Sequence, residues 1–185
     1  MINCDYQKIY LLPFGEFLPL SESIPSLKQL FPAVSDFTAG QRKPLFKIGP
    51  VKFQTLVCYE VIVPGFALDY FQTLNKEPNV IINLTNDTWF GTSFESAQHL
   101  ALSKLRAIEF RRPVLRAANS GISGLISSTG QLSHETGLFE KTYRIIDIPV
   151  LKNQGATFYA TTGNYPLYIL LISQFLFFFV RLRQQ

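Results

Sequence analysis

Short apolar runs alternate with amphipathic stretches along the middle of the chain. Residues 51–57 (VKFQTLV) and 79–87 (NVIINLTND) are rich in β-branched side chains and lead into polar or reactive ones, which is typical of buried strands. Residues 64–76 and 93–110 instead place their apolar side chains at the spacing of one helix face. Strands and helices therefore alternate, and this order predicts an α/β layered domain.

Further strands are predicted on both sides of this central part. Residues 9–12 form a short apolar run that a proline and a glycine soon end. Later strands are expected at residues 113–120, 121–131 and 142–150, separated by Asn, Ser and Gly turn residues. Residues 19–44 contain several prolines, which predicts a long surface excursion of the kind that is usually functional or disordered.

The apolar run near the end of the chain has a different character. Residues 165–180 carry no charge, and Arg181 and Arg183 follow at once. About 20 apolar residues are needed to cross a bilayer, so the pattern predicts one transmembrane helix over residues 165–182. The alternative is a buried or interfacial helix, which the polar Ser173 favours.

The basic residues that follow this run predict the orientation of the chain. Lys and Arg next to a membrane span are retained on the cytoplasmic side, so we expect a cytoplasmic C-terminus. Residues 1–160 would then lie on the opposite side of the membrane, which in a Gram-negative bacterium makes them a periplasmic domain attached to the inner membrane. The net charge of +4 is consistent with attraction to an anionic bilayer surface.

Composition excludes several other classes of function. The longest basic run is Arg111 and Arg112, so a nucleic-acid partner has little support. Two cysteines are too few for a dense disulfide framework or a Cys-based metal site. His99 and His134 lack the spacing of metal ligands, so we expect no metal and no cofactor. His99 is expected to be a packed helix side chain rather than a catalyst.

Cys58 directly follows a predicted strand and precedes a helix that begins near Pro64. A thiol in such a corner lies at the carboxyl edge of a sheet, where α/β proteins place their sites, and a nearby positive charge or helix N-terminus favours its reactive thiolate. The alternative is an inert core thiol, as we expect for Cys4. Glu60 favours the nucleophile, because a carboxylate beside a core thiol needs a partner.

Five segments of the chain resemble, in the same order, the nitrilase-superfamily domain of apolipoprotein N-acyltransferases. These segments are KIYLLPFGEFLPL, LVCYE, NLTNDTWFG, QHLALSKLRAIEFRRPVLRAANSGISGLI and STGQL. The resemblance implies a partial nitrilase-type αββα sandwich over residues 1–160, followed by the transmembrane helix. It sets the chain apart from soluble nitrilases and amidases, which share a Glu-Lys-Cys site but lack membrane helices.

The resemblance also implies a site and a reaction. Cys58 would attack an ester carbonyl of a phospholipid and hold the acyl chain as a thioester, while Lys8 would stabilise the oxyanion. The amine of a diacylglyceryl-modified lipoprotein, bound at the membrane, would then take the acyl chain. Glu16 and Glu60 match further catalytic glutamates of the family. The expected substrate contacts are Tyr59, Trp89 and Phe90.

One residue that the family requires has no counterpart in the sequence. The general-base glutamate of the family lies upstream of the lysine, and Asp5 is the only acid before Lys8. We therefore expect a C-terminal part of such an enzyme with low activity alone, because losing a general base typically costs ~10²–10⁴ in rate. Two alternatives stay open: a soluble-type carbon-nitrogen hydrolase acting on a small amide or nitrile, and a non-catalytic remnant.

Overall fold

The computed structural model describes residues 5–76, 78–91, 93–150 and 155–183, apart from the side chains of Trp89, Phe90 and Val180. The helices are α1 (Leu27–Leu30), α2 (Pro64–Thr73), α3 (Glu95–Phe110), α4 (Phe158–Thr162) and α5 (Tyr165–Leu182). The strands are β1 (Phe46–Ile48), β2 (Val51–Val57), β3 (Val80–Asn86), β4 (Val114–Asn119), β5 (Gly124–Ile126) and β6 (Leu132–Ser133). Short 3-10 turns follow β2 (Cys58–Val61) and β3 (Asp87–Phe90).

Within the described part of the chain, the six strands form one mixed sheet in the order β1-β2-β3-β4-β5-β6. The central strands β2, β3 and β4 are parallel, and β1, β5 and β6 extend the sheet in antiparallel pairings. Helix α2 connects β2 to β3, and α3 connects β3 to β4, so the predicted alternation of strands and helices is confirmed. Because β2 and β3 run parallel side by side, the two 3-10 turns begin at the same edge of the sheet.

The core lies between the sheet and helices α2 and α3. The strands contribute the buried side chains of Leu56, Ile81 and Val114, of which Ile81 and Val114 face each other in register. The rings of Phe71 in α2 and Phe110 in α3 stack with their centroids 4.7 Å apart. Burial of each large apolar side chain contributes about 1.5–3 kcal/mol. This packing holds the parallel strands in place, together with the turns at the ends of β2 and β3.

Two predicted strands are wrong. Residues 9–12 form no strand, because the backbone amides of Ile9 and Tyr10 donate to the carboxylate of Glu60 rather than to a neighbouring strand. Residues 142–150 also lack strand pairing, and Ile145 is 93% exposed. Alternation of apolar and polar residues indicates a possible strand, but it does not supply a partner edge.

The predicted transmembrane helix over residues 165–182 is also wrong. Among the residues that the structure describes, no helix is both long and apolar enough to cross a membrane. The 18 residues of α5 extend about 27 Å at 1.5 Å per residue, and Gln174 and Arg181 interrupt their apolar character. The hydrocarbon core of a bilayer is about 30 Å thick. The orientation expected from the basic flank stays a prediction.

Candidate active site

Cys58 begins the 3-10 turn that follows β2, and its backbone is in the left-handed region with φ of 51°. A non-glycine residue rarely adopts positive φ, and such residues concentrate at functional sites. The side chain is half-buried and the thiol is free. The sharp change of direction turns this residue out of the sheet at its carboxyl edge.

A cavity of about 290 Å³ opens beside this thiol. Its wall is mainly apolar but includes two carboxylates. The residues that line it are Leu12, Gly15, Glu16, Cys58, Tyr59, Ile62, Glu95 and His99. A larger groove of about 840 Å³ is formed by residues 9–39 and contains no cysteine, so the smaller cavity is the one that adjoins the thiol.

Lys8 forms an ion pair with Glu16, which lines this cavity. The ammonium lies 2.5 and 2.7 Å from the two carboxylate oxygens, and both side chains are largely buried. The backbone amide of Leu12 donates to the same carboxylate at 2.7 Å. The structure thus brings Lys8, Glu16 and the cysteine to one region, while their catalytic roles stay predictions.

The carboxylate of Glu60 is fully buried and accepts four hydrogen bonds. The Tyr6 hydroxyl and the Val57 amide donate to one oxygen at 2.8 and 2.7 Å, and the amides of Ile9 and Tyr10 donate to the other at 2.6 and 3.0 Å. Burial and the nearby charge of Glu60 raise the pKa of the Tyr6 hydroxyl, which keeps it a donor. Glu60 therefore ties the segment around Lys8 to the nucleophile corner, which is a positioning task.

A second polar group that the sequence did not reveal lies behind the nucleophile. The His99 ring nitrogens lie 3.2 Å from the Cys58 carbonyl oxygen and 3.1 Å from a carboxylate oxygen of Asp87. The prediction that His99 is a packed helix side chain is therefore incomplete, since its ring is buried but contacts the backbone of the nucleophile.

Asp87 is held in turn by Arg116, whose guanidinium donates to it at 2.8 Å and to Asn83 at 2.5 Å. Burial opposes the charge of Asp87, but the hydrogen bond from His99 and the guanidinium outweigh burial and lower the pKa of this carboxyl. One signal in the sequence points to this group. Alternation along β4 places Arg116 on the same face as the buried Val114, so a charged side chain is directed into the core.

Asp87, Glu95 and His99 also offer ligand atoms that lie within 4.8 Å of one another, a spacing that could accept a metal ion. Both oxygens of Asp87 are already engaged, one by Thr85 and the histidine ring and the other by Arg116. The guanidinium therefore already supplies the positive charge that a metal would bring to this carboxylate.

Of the three predicted substrate contacts, the structure describes the side chain of one, Tyr59. Tyr59 lines the cavity, with its ring centroid 6.0 Å from that of Tyr10. The backbone of Trp89 and Phe90 belongs to the 3-10 turn after β3, but their side chains lie outside what the structure describes. Their substrate contacts stay predictions.

Sequence relatives agree with the resemblance noted above. The chain is 37% identical over 175 residues to an apolipoprotein N-acyltransferase of Bdellovibrio bacteriovorus. The matched region covers 92% of this chain and 31% of that protein. It is 34% identical over 157 residues to one from Geobacter metallireducens, with 85% and 29% covered. The chain thus spans about a third of the length of these relatives.

The chain is also similar to solved structures and matches one protein family over most of its length. An amidase from Nesterenkonia sp. AN1 has a TM-score of 0.50 at 19% identity and covers 74% of this chain and 48% of that one. A mutant of this amidase, with acrylamide added to its active-site cysteine, gives a TM-score of 0.50 at 18% identity over the same shares. At such identity these likenesses show the fold alone. The family described as carbon-nitrogen hydrolase matches residues 1–154, and the chain therefore belongs to that family.

Proposed function

We propose that this chain provides the nucleophile for acyl transfer from a phospholipid to the N-terminal amine of a diacylglyceryl-cysteine lipoprotein. The observation that carries the proposal is the free thiol of Cys58, turned out of the sheet into a mainly apolar cavity beside the Lys8–Glu16 pair. The names of the similar proteins support a lipoprotein as the acyl acceptor.

In the first half-reaction, the sulfur of Cys58 attacks the ester carbonyl carbon of the phospholipid. A C–S bond forms, the ester C–O bond breaks, and the thiol proton passes to the leaving oxygen to give a lysophospholipid. The ammonium of Lys8, which Glu16 orients, stabilises the negative oxygen of the tetrahedral intermediate. The acyl chain lies against the apolar part of the cavity wall, where Tyr59 contacts it, with Trp89 and Phe90 as the further predicted contacts.

In the second half-reaction, the acceptor amine attacks the carbonyl carbon of the thioester. A C–N bond forms, the C–S bond breaks, and the amine proton returns to the sulfur of Cys58. Glu60 acts here as a positioning residue, because its four hydrogen bonds hold the Lys8 segment against the nucleophile corner. Both substrates are lipids, so the reaction takes place at a membrane surface, which we propose is the bacterial inner membrane.

A single-turnover labelling experiment tests this function. The chain is incubated with phosphatidylethanolamine carrying a labelled acyl group, and the protein is analysed for an adduct that neutral hydroxylamine removes. We expect label on the wild-type chain and none on Cys58→Ala. One acylation event suffices, so the experiment does not depend on turnover.

Three outcomes would contradict the proposal. Equal labelling of wild type and Cys58→Ala would show that the cysteine does not receive the acyl group. Hydrolysis of a small amide such as butyramide by the wild-type chain, without transfer from phospholipid, would instead support the soluble-type hydrolase. If the cysteine reacts with neither donor, the chain is a non-catalytic remnant.

A further inference from the structure

Glu95 is the first residue of α3, and its side chain lines the same cavity as Cys58. One carboxylate oxygen lies 3.7 Å from the His99 ring. The other oxygen is buried, and it has no hydrogen-bond partner among the residues that the structure describes. A buried carboxylate oxygen without a partner is costly, and each such case in a protein asks for an explanation.

The other carboxylates around the nucleophile differ from Glu95 in this respect. Glu16, which also lines the cavity, is neutralised by Lys8 at 2.5 Å. Asp87 is neutralised by Arg116 at 2.8 Å. Among the described residues of the cavity wall, Glu95 is therefore the carboxylate that still has an oxygen available for a cationic ligand.

We propose that Glu95 binds the protonated amine of the acyl acceptor and holds it beside the sulfur of Cys58. This inference rests on the proposed function and deepens it, since it assigns the residue that recognises a primary ammonium. The ammonium donates a hydrogen bond to the unpartnered oxygen, which completes the bonding of that carboxylate. A neutral acceptor would make only a weaker hydrogen bond there, and an anionic acceptor would be repelled.

The same contact prepares the amine for attack. Burial raises the pKa of the Glu95 carboxyl, and this favours transfer of one proton from the ammonium to the carboxylate. The neutral amine then carries a free electron pair next to the thioester carbonyl. After the C–N bond forms and the C–S bond breaks, the sulfur takes a second proton from the nitrogen, and the amide product leaves Glu95 protonated.

The experiment measures the charge preference of the cavity without requiring turnover. In a Cys4→Ser background Cys58 is the only thiol. The full chain is treated with methanethiosulfonates of three kinds: cationic aminoethyl, neutral methyl and anionic sulfonatoethyl. Mass spectrometry gives the rate of Cys58 modification for each reagent.

We expect the cationic reagent to modify Cys58 about five- to tenfold faster than the neutral one, because the Glu95 carboxylate, which has an oxygen without a partner among the described residues, lines the same cavity and attracts it. Glu95→Gln keeps the shape and removes the charge, so this ratio should fall to about one. Glu95→Asp keeps the charge and should retain a preference. Glu22→Gln removes an exposed carboxylate outside this cavity and should leave the ratio unchanged.

The wild-type ratio alone can overturn the inference, whatever the folding of the variants. Equal rates for cationic and neutral reagents would show that no effective negative charge faces the thiol. A preference that persists in Glu95→Gln would assign the charge to another group. A cationic preference without any phospholipid labelling would leave this site standing while the proposed function fails, so the two failures are distinguishable.

Discussion

The carboxylate of Glu60 joins two segments that lie 51 residues apart in the chain, the turn of the nucleophile and the extended residues around Ile9. Four donors surround it, and none of them is another charge. Hydrogen bonds to a charged acceptor are stronger than neutral ones, so one side chain fixes the position of Lys8 relative to the cysteine. Glu60, which positions the site, therefore follows the cavity-lining Tyr59 in the chain but does not line the cavity itself.

Replacing Glu60 with Gln should destabilise the protein strongly. The amide group of Gln would direct two donors toward backbone amides, so at least one buried group loses its partner. We expect the free energy of unfolding to fall by about 2–4 kcal/mol in urea titrations. The matched change Glu22→Gln, at an exposed position, should cost less than about 0.5 kcal/mol. A small effect of Glu60→Gln would mean that the corner is held by other contacts.

Asp87 should make stability depend on acid pH. Its pKa is lowered in the folded protein, so the stabilisation from its charge is complete above the unfolded value of about 3.9. That stabilisation is lost as the pH falls through the lower folded value. We expect urea midpoints to decline between about pH 5 and pH 2, and to decline less steeply in Asp87→Asn. Asp36→Asn, which alters an exposed pair, should keep the wild-type slope, and parallel curves for Asp87→Asn would refute the assignment.

At the scale of elements, the parallel strands and their helices could be predicted because each carries a strong periodicity of its own. The group of His99, Asp87 and Arg116 could not, because it is assembled by register. Asp87 and Arg116 are 29 residues apart, and they meet only when β3 and β4 pair. Residues 142–150 show the opposite case, since apolar and polar residues alternate there but the segment forms no strand.

The turn after β4 should be intolerant of even a small side chain. A Cβ atom on Gly121 would lie 2.1 Å from a carboxylate oxygen of Asp87, which Arg116 holds in place. We expect Gly121→Ala to lower the free energy of unfolding by about 1–3 kcal/mol. Gly65→Ala is the matched control, because Gly65 lies in α2 with open space around it and should gain about 0.5–1 kcal/mol. Equal behaviour of the two variants would contradict the close approach.

At the scale of the whole molecule, the site lies at the carboxyl edge of the sheet, and α5 lies apart from the core. The side chains of Phe175 and Phe177 in α5 are 62% and 64% exposed, whereas Ala160 in α4 is fully buried. The sequence predicted a membrane span here from an uncharged apolar run of nearly the length that a bilayer requires. Among the described residues, however, no helix is long and apolar enough to cross a membrane.

Removal of residues 165–185 should therefore leave the core intact. We expect the urea midpoint of the shortened chain to match that of the full chain within about 0.5 kcal/mol in unfolding free energy, because exposed side chains contribute little to stability. Self-association, followed by analytical ultracentrifugation, should decrease as the exposed apolar surface is removed. A large loss of stability would show that α5 supports the sheet.

The backbone of Cys58 carries one more implication. Its φ of 51° suits glycine, and any other residue pays roughly 1–2 kcal/mol to occupy it. If the sulfur atom had no role, Cys58→Gly would make the protein more stable. The protein instead keeps a cysteine in this unfavourable backbone conformation. Its free energy of folding is smaller as a result, and one thiol stays accessible to a ligand.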